Sequence, residues 1–326
     1  MSDDPVGSAS SEERRDQRPY PVTDTCTFMG VPRSHELPGS GAAVLGIPFD
    51  CGTNPLRIGS RYGPHAIREQ SNLLRPYQPP HADFDPLARL NVVDCGNVEV
   101  TPGNPGKCFP DIEEAVGRIA ENGAIPTTMG GDGSVTLPQL RALHGVYPDL
   151  AVLHLDAHTD TGPGSEPGEI GTSTTFTRAA EEGVVDLEHS IHIGARGTQR
   201  RQGALEFAEA RGYEVISGAQ LFERGIGDVV GHVRQRLSGR PLYLCFDMDF
   251  FDPSCAPGVC QPEWGGPSAR EVLAMLQGLS GLDFVAFDVN TVSPPHDVGG
   301  MTALLAARVM LECLALACAK TGGKQC

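Results

Sequence analysis

The sequence is short of positive charge. Against 41 Asp and Glu it sets 25 Lys and Arg, for a net charge of -16. A nucleic-acid partner needs a concentrated basic surface, so this balance excludes that class. The same balance suits a cationic substrate, or serves only to keep the surface soluble. No secretory leader is expected at the start of this sequence, because Met1 to Ser11 is polar and acidic. No run approaches the roughly 18 apolar residues of a membrane span. The 10 cysteines form no CxxC pair, which fits buried or incidental thiols in a reducing cytoplasm. Internal repeats and a second domain are missing as well.

What is present is the composition of a globular protein, with 40% hydrophobic and 20% charged residues. Residues 1–40 are polar and Pro-rich and read as an arm, disordered or draped over a neighbour, ahead of a single domain over 41–326. Ala42 to Ile47, residues 91–94 and 124–129, Ala151 to Leu155, Ser190 to Gly194, Leu242 to Phe246 and Phe284 to Val289 are strand candidates. Asp111 to Asn122 reads as a helix with Ile112, Val116 and Ile119 on one face, and Met301 to Lys320 as a long apolar one. Strands alternating with helices predict an α/β fold whose mainly parallel sheet is covered on both faces. Such sheets carry their chemistry beyond the carboxyl ends of the strands.

Polar motifs fall at those ends. Leu153-His154-Leu155-Asp156-Ala157-His158-Thr159-Asp160 runs an apolar strand into two carboxylates and an imidazole spaced two apart. Carboxylate and imidazole together suit Mn, Ni, Fe or Zn. Leu244-Cys245-Phe246-Asp247-Met248-Asp249 ends a second strand in Asp-x-Asp, which alone reads as a cap or turn. Together the two strand ends supply five groups of ligand type, and unpaired carboxylates there need a positive partner. His154 and His192 read as packed core residues. Trp264 lines a pocket or an interface, and Arg196, Arg200 and Arg201 form a solvated face or an intersubunit ion-pair site.

Residues 156–160 and 246–258 closely resemble the two metal motifs of the ureohydrolase family, the arginases and agmatinases. Gly46 to Asp50 with Gly59 to Pro64, Met129 to Asp132, and Asp288 with Ser293 to Asp297 resemble its other signatures. The resemblance implies a three-layer α/β/α fold, a trimer or hexamer, and hydrolysis of a guanidinium compound to urea and an amine. It also implies two divalent metals, nickel or manganese, that activate water. Asp156 and Asp247 would bridge them, His158 and Asp249 would complete one site, and Asp160 would serve the other.

Three positions depart from the family pattern. Gly133 stands where Gly-Gly-Asp-His-Ser carries a ligand imidazole. Thr172 aligns with the proton-shuttling His of His-Gly-Thr-Pro-Phe, and Thr291 replaces the Glu that holds the guanidinium. Gly258 to Glu263 also replaces a common Gly-Thr-Gly-Thr-Pro-Glu. Groups that act as a unit lose catalysis together. The expectation is therefore a non-catalytic subunit supporting an active paralogue in a hetero-oligomer. That pattern is similar to a nickel-dependent, metformin-hydrolysing member that pairs an active with a metal-deficient subunit. An active guanidine hydrolase with a one-metal or altered dinuclear site is the alternative, and a ligand-binding sensor a third.

Overall fold

Alternation along the strands decides which side chains meet. The computed structural model describes residues 26–51, 56–199 and 201–321. Its strands are β1 (Ala42–Gly46), β2 (Val93–Asn97), β3 (Ile125–Met129), β4 (Ala151–Leu155), β5 (Ile191–Ile193), β6 (Glu214–Ile216), β7 (Leu242–Asp247) and β8 (Phe284–Asn290). They form one eight-stranded sheet in the order β2-β1-β3-β8-β7-β4-β5-β6. Every neighbouring pair is parallel, so all the carboxyl ends lie along one edge.

Helices cover both faces. Besides the one-turn helix Pro86–Arg89, they are α1 (Gly63–Ser71), α2 (Pro105–Glu121), α3 (Thr136–His144), α4 (Thr175–Glu182), α5 (Ala204–Glu209), α6 (Gly218–Arg224), α7 (Ile226–Leu237), α8 (Ala269–Gly278) and α9 (Met301–Thr321). In β7, Leu242, Leu244 and Phe246 pack with α7, α8 and α9, while Tyr243 and Cys245 pack with α2, α3 and α4. The period of two places Asp247 on the second face, and the same count along β4 places His154 and Asp156 there. The result is the three-layer α/β/α arrangement expected from the motifs.

Several sequence-based expectations change. Phe28 and Val31 are buried in the core, and Phe28 N–H donates to Asp94 at 2.9 Å. The described part of the arm, from residue 26, is thus built into the body because its apolar residues find the core; residues 1–25 lie outside the described residues. Helix α2 begins at Pro105 and runs through Pro110, so a proline near the first turns did not delay its start. Strand β6 is an addition of only three residues. Met301–Ala319 is, by length and composition, long and apolar enough to cross a membrane. It is a core helix here, with 72% of that stretch buried and its charges, Arg308 and Glu312, paired at 2.6 Å.

Beneath the carboxyl edge lies a buried polar network. Asp288 accepts hydrogen bonds from Thr136 at 2.7 Å, Asn290 at 3.0 Å, and Tyr243 and Thr128 at 3.1 Å. Burial raises its carboxyl, and the donors oppose the shift. Asp288→Ala would leave several buried donors without an acceptor. It is expected to lower unfolding stability by about 3 kcal/mol, read from the midpoint of denaturation in urea. A loss below about 1 kcal/mol would mean the network is not structural.

Candidate metal centre

The five expected ligands come together at the carboxyl ends of β4 and β7. His158 Nδ1 lies 3.2 Å from both Asp156 Oδ1 and Asp249 Oδ2. The backbone fixes the carboxylates: His158 N–H donates to Asp156 at 2.7 Å, Ala157 N–H to Asp249 at 3.1 Å, and Asp249 N–H to Asp247 at 2.8 Å. One ligand atom each from Asp156, His158 and Asp249 falls within 4.8 Å of the others. Asp156 Oδ2 is buried and has the His154 imidazole, 3.0 Å away, as its close partner. Buried carboxylates and an imidazole converging on one point fit a divalent cation.

The electrostatics point the same way. Burial raises Asp247 and Asp160 well above the ordinary carboxylate range, and the neighbouring acids add to the shift. Burial and Asp156 likewise push Asp249 up to about 7. Burial also works to raise Asp156, but the His154 and His158 imidazoles outweigh it and hold that carboxyl well down. Burial lowers His158, and Asp249 and Asp156 more than reverse this. Acids this crowded cannot all ionise without a positive partner.

The three departures surround this cluster. A Cβ placed on Gly133 would sit 3.1 Å from Asp160 Oδ2 and 2.9 Å from the Thr172 methyl. Gly133, Asp160 and Thr172 therefore meet at one point, which supports the alignment of Thr172. Phe176 N–H donates to Asp160 O at 3.0 Å, clipping the two loops together. The Thr291 hydroxyl accepts from Met248 N–H at 3.2 Å and donates to Asp247 Oδ1 through a short contact. Thr291 holds this position at φ 66, an uncommon conformation for a β-branched residue.

A cleft of about 470 Å³ opens over the cluster, lined by Asp132, His158, Asp160, Thr172, Gln261 and Thr291 among others. Sequence reading missed three of its features. The Gln261 amide lies 3.1 Å from His158 Nε2. Asp132 caps the turn at Gly133, accepting from Ser134 N–H at 3.1 Å and Cys51 N–H at 2.8 Å. The buried His154 imidazole lies 3.0 Å from Asp156 Oδ2, so it is part of the centre's surroundings as well as core. The expected basic cluster also changes. Arg196 is half-buried and donates to the carbonyls of Asp249 at 2.8 Å, Phe251 at 3.2 Å and Glu263 at 2.9 Å. Four carbonyls, Gly194 included, accept from its Nη1 and Nη2, so it holds loops rather than a solvated face. Arg201 lines the cleft, Arg200 lies outside the described residues, and Trp264 is 73% exposed.

These pKa shifts set a pH dependence. Asp249 binds its proton up to about 7 in the fold, against roughly 4 when unfolded. Its raised value stabilises the metal-free chain at low pH, and that contribution is lost as pH climbs towards 7. His158, also raised, acts in the same direction. A cation must displace these protons, so it binds more tightly as they leave. The rise in Tm on adding Mn²⁺ or Ni²⁺ to chelator-stripped protein is expected to grow from pH 6 to pH 8, as measured by scanning fluorimetry. A constant increment would contradict the assignment.

Comparison with known proteins agrees with this geometry. Residues 40–316 match the arginase family. The chain is 35% identical over 291 residues to guanidinobutyrase of Pseudomonas aeruginosa, covering 88% of this chain and 91% of that protein. It is 34% identical over 310 residues to the mitochondrial guanidino acid hydrolase of Homo sapiens, covering 94% and 88%. Among solved structures, proclavaminate amidino hydrolase from Streptomyces clavuligerus superimposes with a TM-score of 0.86 at 33% identity, over 91% of this chain and 98% of that one.

Proposed function

The chain belongs to the arginase family, and we propose that within it this copy is a non-catalytic subunit of a hetero-oligomeric ureohydrolase. One observation carries the reading. Gly133, Thr172 and Thr291 border the same carboxylate cluster and cleft, where a ligand, a proton shuttle and a substrate clamp would be needed. Thr172 cannot serve as a general acid near neutral pH, and Thr291 offers no charge to a guanidinium. The complex would hydrolyse a guanidine or a biguanide resembling metformin to urea and an amine, in the cytoplasm, with an active paralogue supplying turnover. Trp264 is exposed and available to such a partner.

Asp156, His158, Asp247 and Asp249 would hold a divalent ion, nickel or manganese. Such an ion, when bound, supplies activated water near neutral pH. This chain's residues would position it, with Gln261 steadying His158. What they lack is a group to pass a proton to the leaving amine and an anion to orient the substrate.

A second reading is an active hydrolase with a one-metal site. The compact grouping of Asp156, His158 and Asp249, within 4.8 Å, favours it. Urea release from a panel of guanidines and biguanides separates the two. The chain alone, loaded with Ni²⁺ or Mn²⁺, is expected to give no turnover above a metal-only blank, and addition of the paralogue to restore it. Turnover by the chain alone would overturn the subunit reading.

Restoration also has a defined order. Because a side chain at 133 meets the Thr172 methyl at 2.9 Å, Gly133→His alone is expected to gain little ion affinity. Gly133→His with Thr172→Ser is expected to gain about tenfold or more, read by calorimetric titration with Mn²⁺. Equal gains with and without the second change would contradict the contact.

A further inference from the structure

Strands β7 and β8 run side by side with Asp247 paired in register with Asn290. The next residue of the second strand, Thr291, therefore falls beside the turn that Asp247 begins. We infer that Thr291 is a positioning residue for Asp247, whose carboxylate its hydroxyl fixes so that Oδ1 faces the protein and Oδ2 is the oxygen offered to an ion. The inference rests on the metal centre described above, and not on whether the chain turns over a substrate.

Three partners surround that hydroxyl. Met248 N–H donates to it at 3.2 Å, and it lies 2.8 Å from the Asn290 carbonyl and in short contact with Asp247 Oδ1. It has one proton to give. An ionised carboxylate is a stronger acceptor than a carbonyl, so the proton goes to Asp247. Oδ1 also accepts from Asp249 N–H at 2.8 Å, because Asp247 caps the single turn Met248–Phe250. Two donors on one oxygen fix the plane of the carboxylate. Among the described residues no hydrogen bond reaches Oδ2, and Asp247 lines the cleft. Asp247 therefore presents one oxygen towards the cleft.

The backbone separates this role from two simpler ones. Thr291 is 5% exposed and sits at φ 66, where a side chain branched at Cβ is disfavoured. Its N–H donates to Gly131 O at 2.7 Å, which anchors the chain in that conformation. Glycine adopts such a backbone more freely, and valine fills the same volume, but neither brings a hydroxyl. A task in backbone shape alone would be served better by glycine, and a task in packing alone by valine. Only the positioning of Asp247 needs the O–H.

The test compares full-length wild type with Thr291→Ser, Thr291→Val and Thr291→Gly. Each is stripped with chelator and titrated calorimetrically with Mn²⁺, and its midpoint of denaturation in urea is recorded alongside. Thr291→Ser is expected to keep affinity within about threefold of wild type, and Thr291→Val and Thr291→Gly to lose at least about tenfold. The order follows the hydroxyl and not stability, so Thr291→Gly loses affinity whichever way its midpoint moves. Should circular dichroism find Thr291→Val misfolded, Thr291→Gly and Thr291→Ser decide. Full affinity in a folded chain without the hydroxyl, or a loss in Thr291→Ser as large as in Thr291→Gly, overturns the proposal. So does a folded wild-type chain that binds no Mn²⁺. The readout is ion binding, so urea release by the chain alone would remove the subunit reading and leave this one standing.

Discussion

Carboxylates crowded at the end of a buried sheet need a positive partner, and much of this structure follows from that constraint. Asp156, Asp247 and Asp249 are each at least 97% buried, where an unpaired charge is untenable. The parallel sheet brings them together because every strand ends along one edge. Backbone N–H groups hold their oxygens in place, and two imidazoles supply part of the compensation. Raised carboxyls supply the rest until a cation arrives.

The residues bordering the cluster leave its electrostatic problem in place. Gly133 and Thr172 bring no charge to the cluster, and the Thr291 hydroxyl donates to Asp247. Each substitute is neutral and small, so the carboxylates keep their burial and their need for a cation. The fold superimposes on that of a hydrolase of known structure with a TM-score of 0.86.

Local pattern made the centre legible and long-range pairing hid its surroundings. Asp156 to Asp160 and Asp247 to Asp249 each lie within one short segment, so spacing alone brought out the ligand set. The roles of Gln261 and His154 depend on register and on loops meeting across the sheet, which no window along the chain contains. Arg196 looked like one member of a basic cluster because its partners are backbone carbonyls, which carry no side-chain signal. Strand β6 spans only Glu214–Ile216, too short for a clear period, and α2 ran through Pro110 because tertiary packing of Ile112, Val116 and Ile119 outweighed one missing N–H. No run was expected to reach the length of a membrane span, yet α9 is long and apolar enough by composition, and its burial shows it to be a core helix.

The central claim is that protons hold the place of a cation among these acids. It is tested most directly by calorimetry of Mn²⁺ binding near pH 6.5 in buffers of different ionisation enthalpy. The account predicts net release of about one proton or more per ion bound. Binding without proton release, or no binding by correctly folded chain, would contradict it.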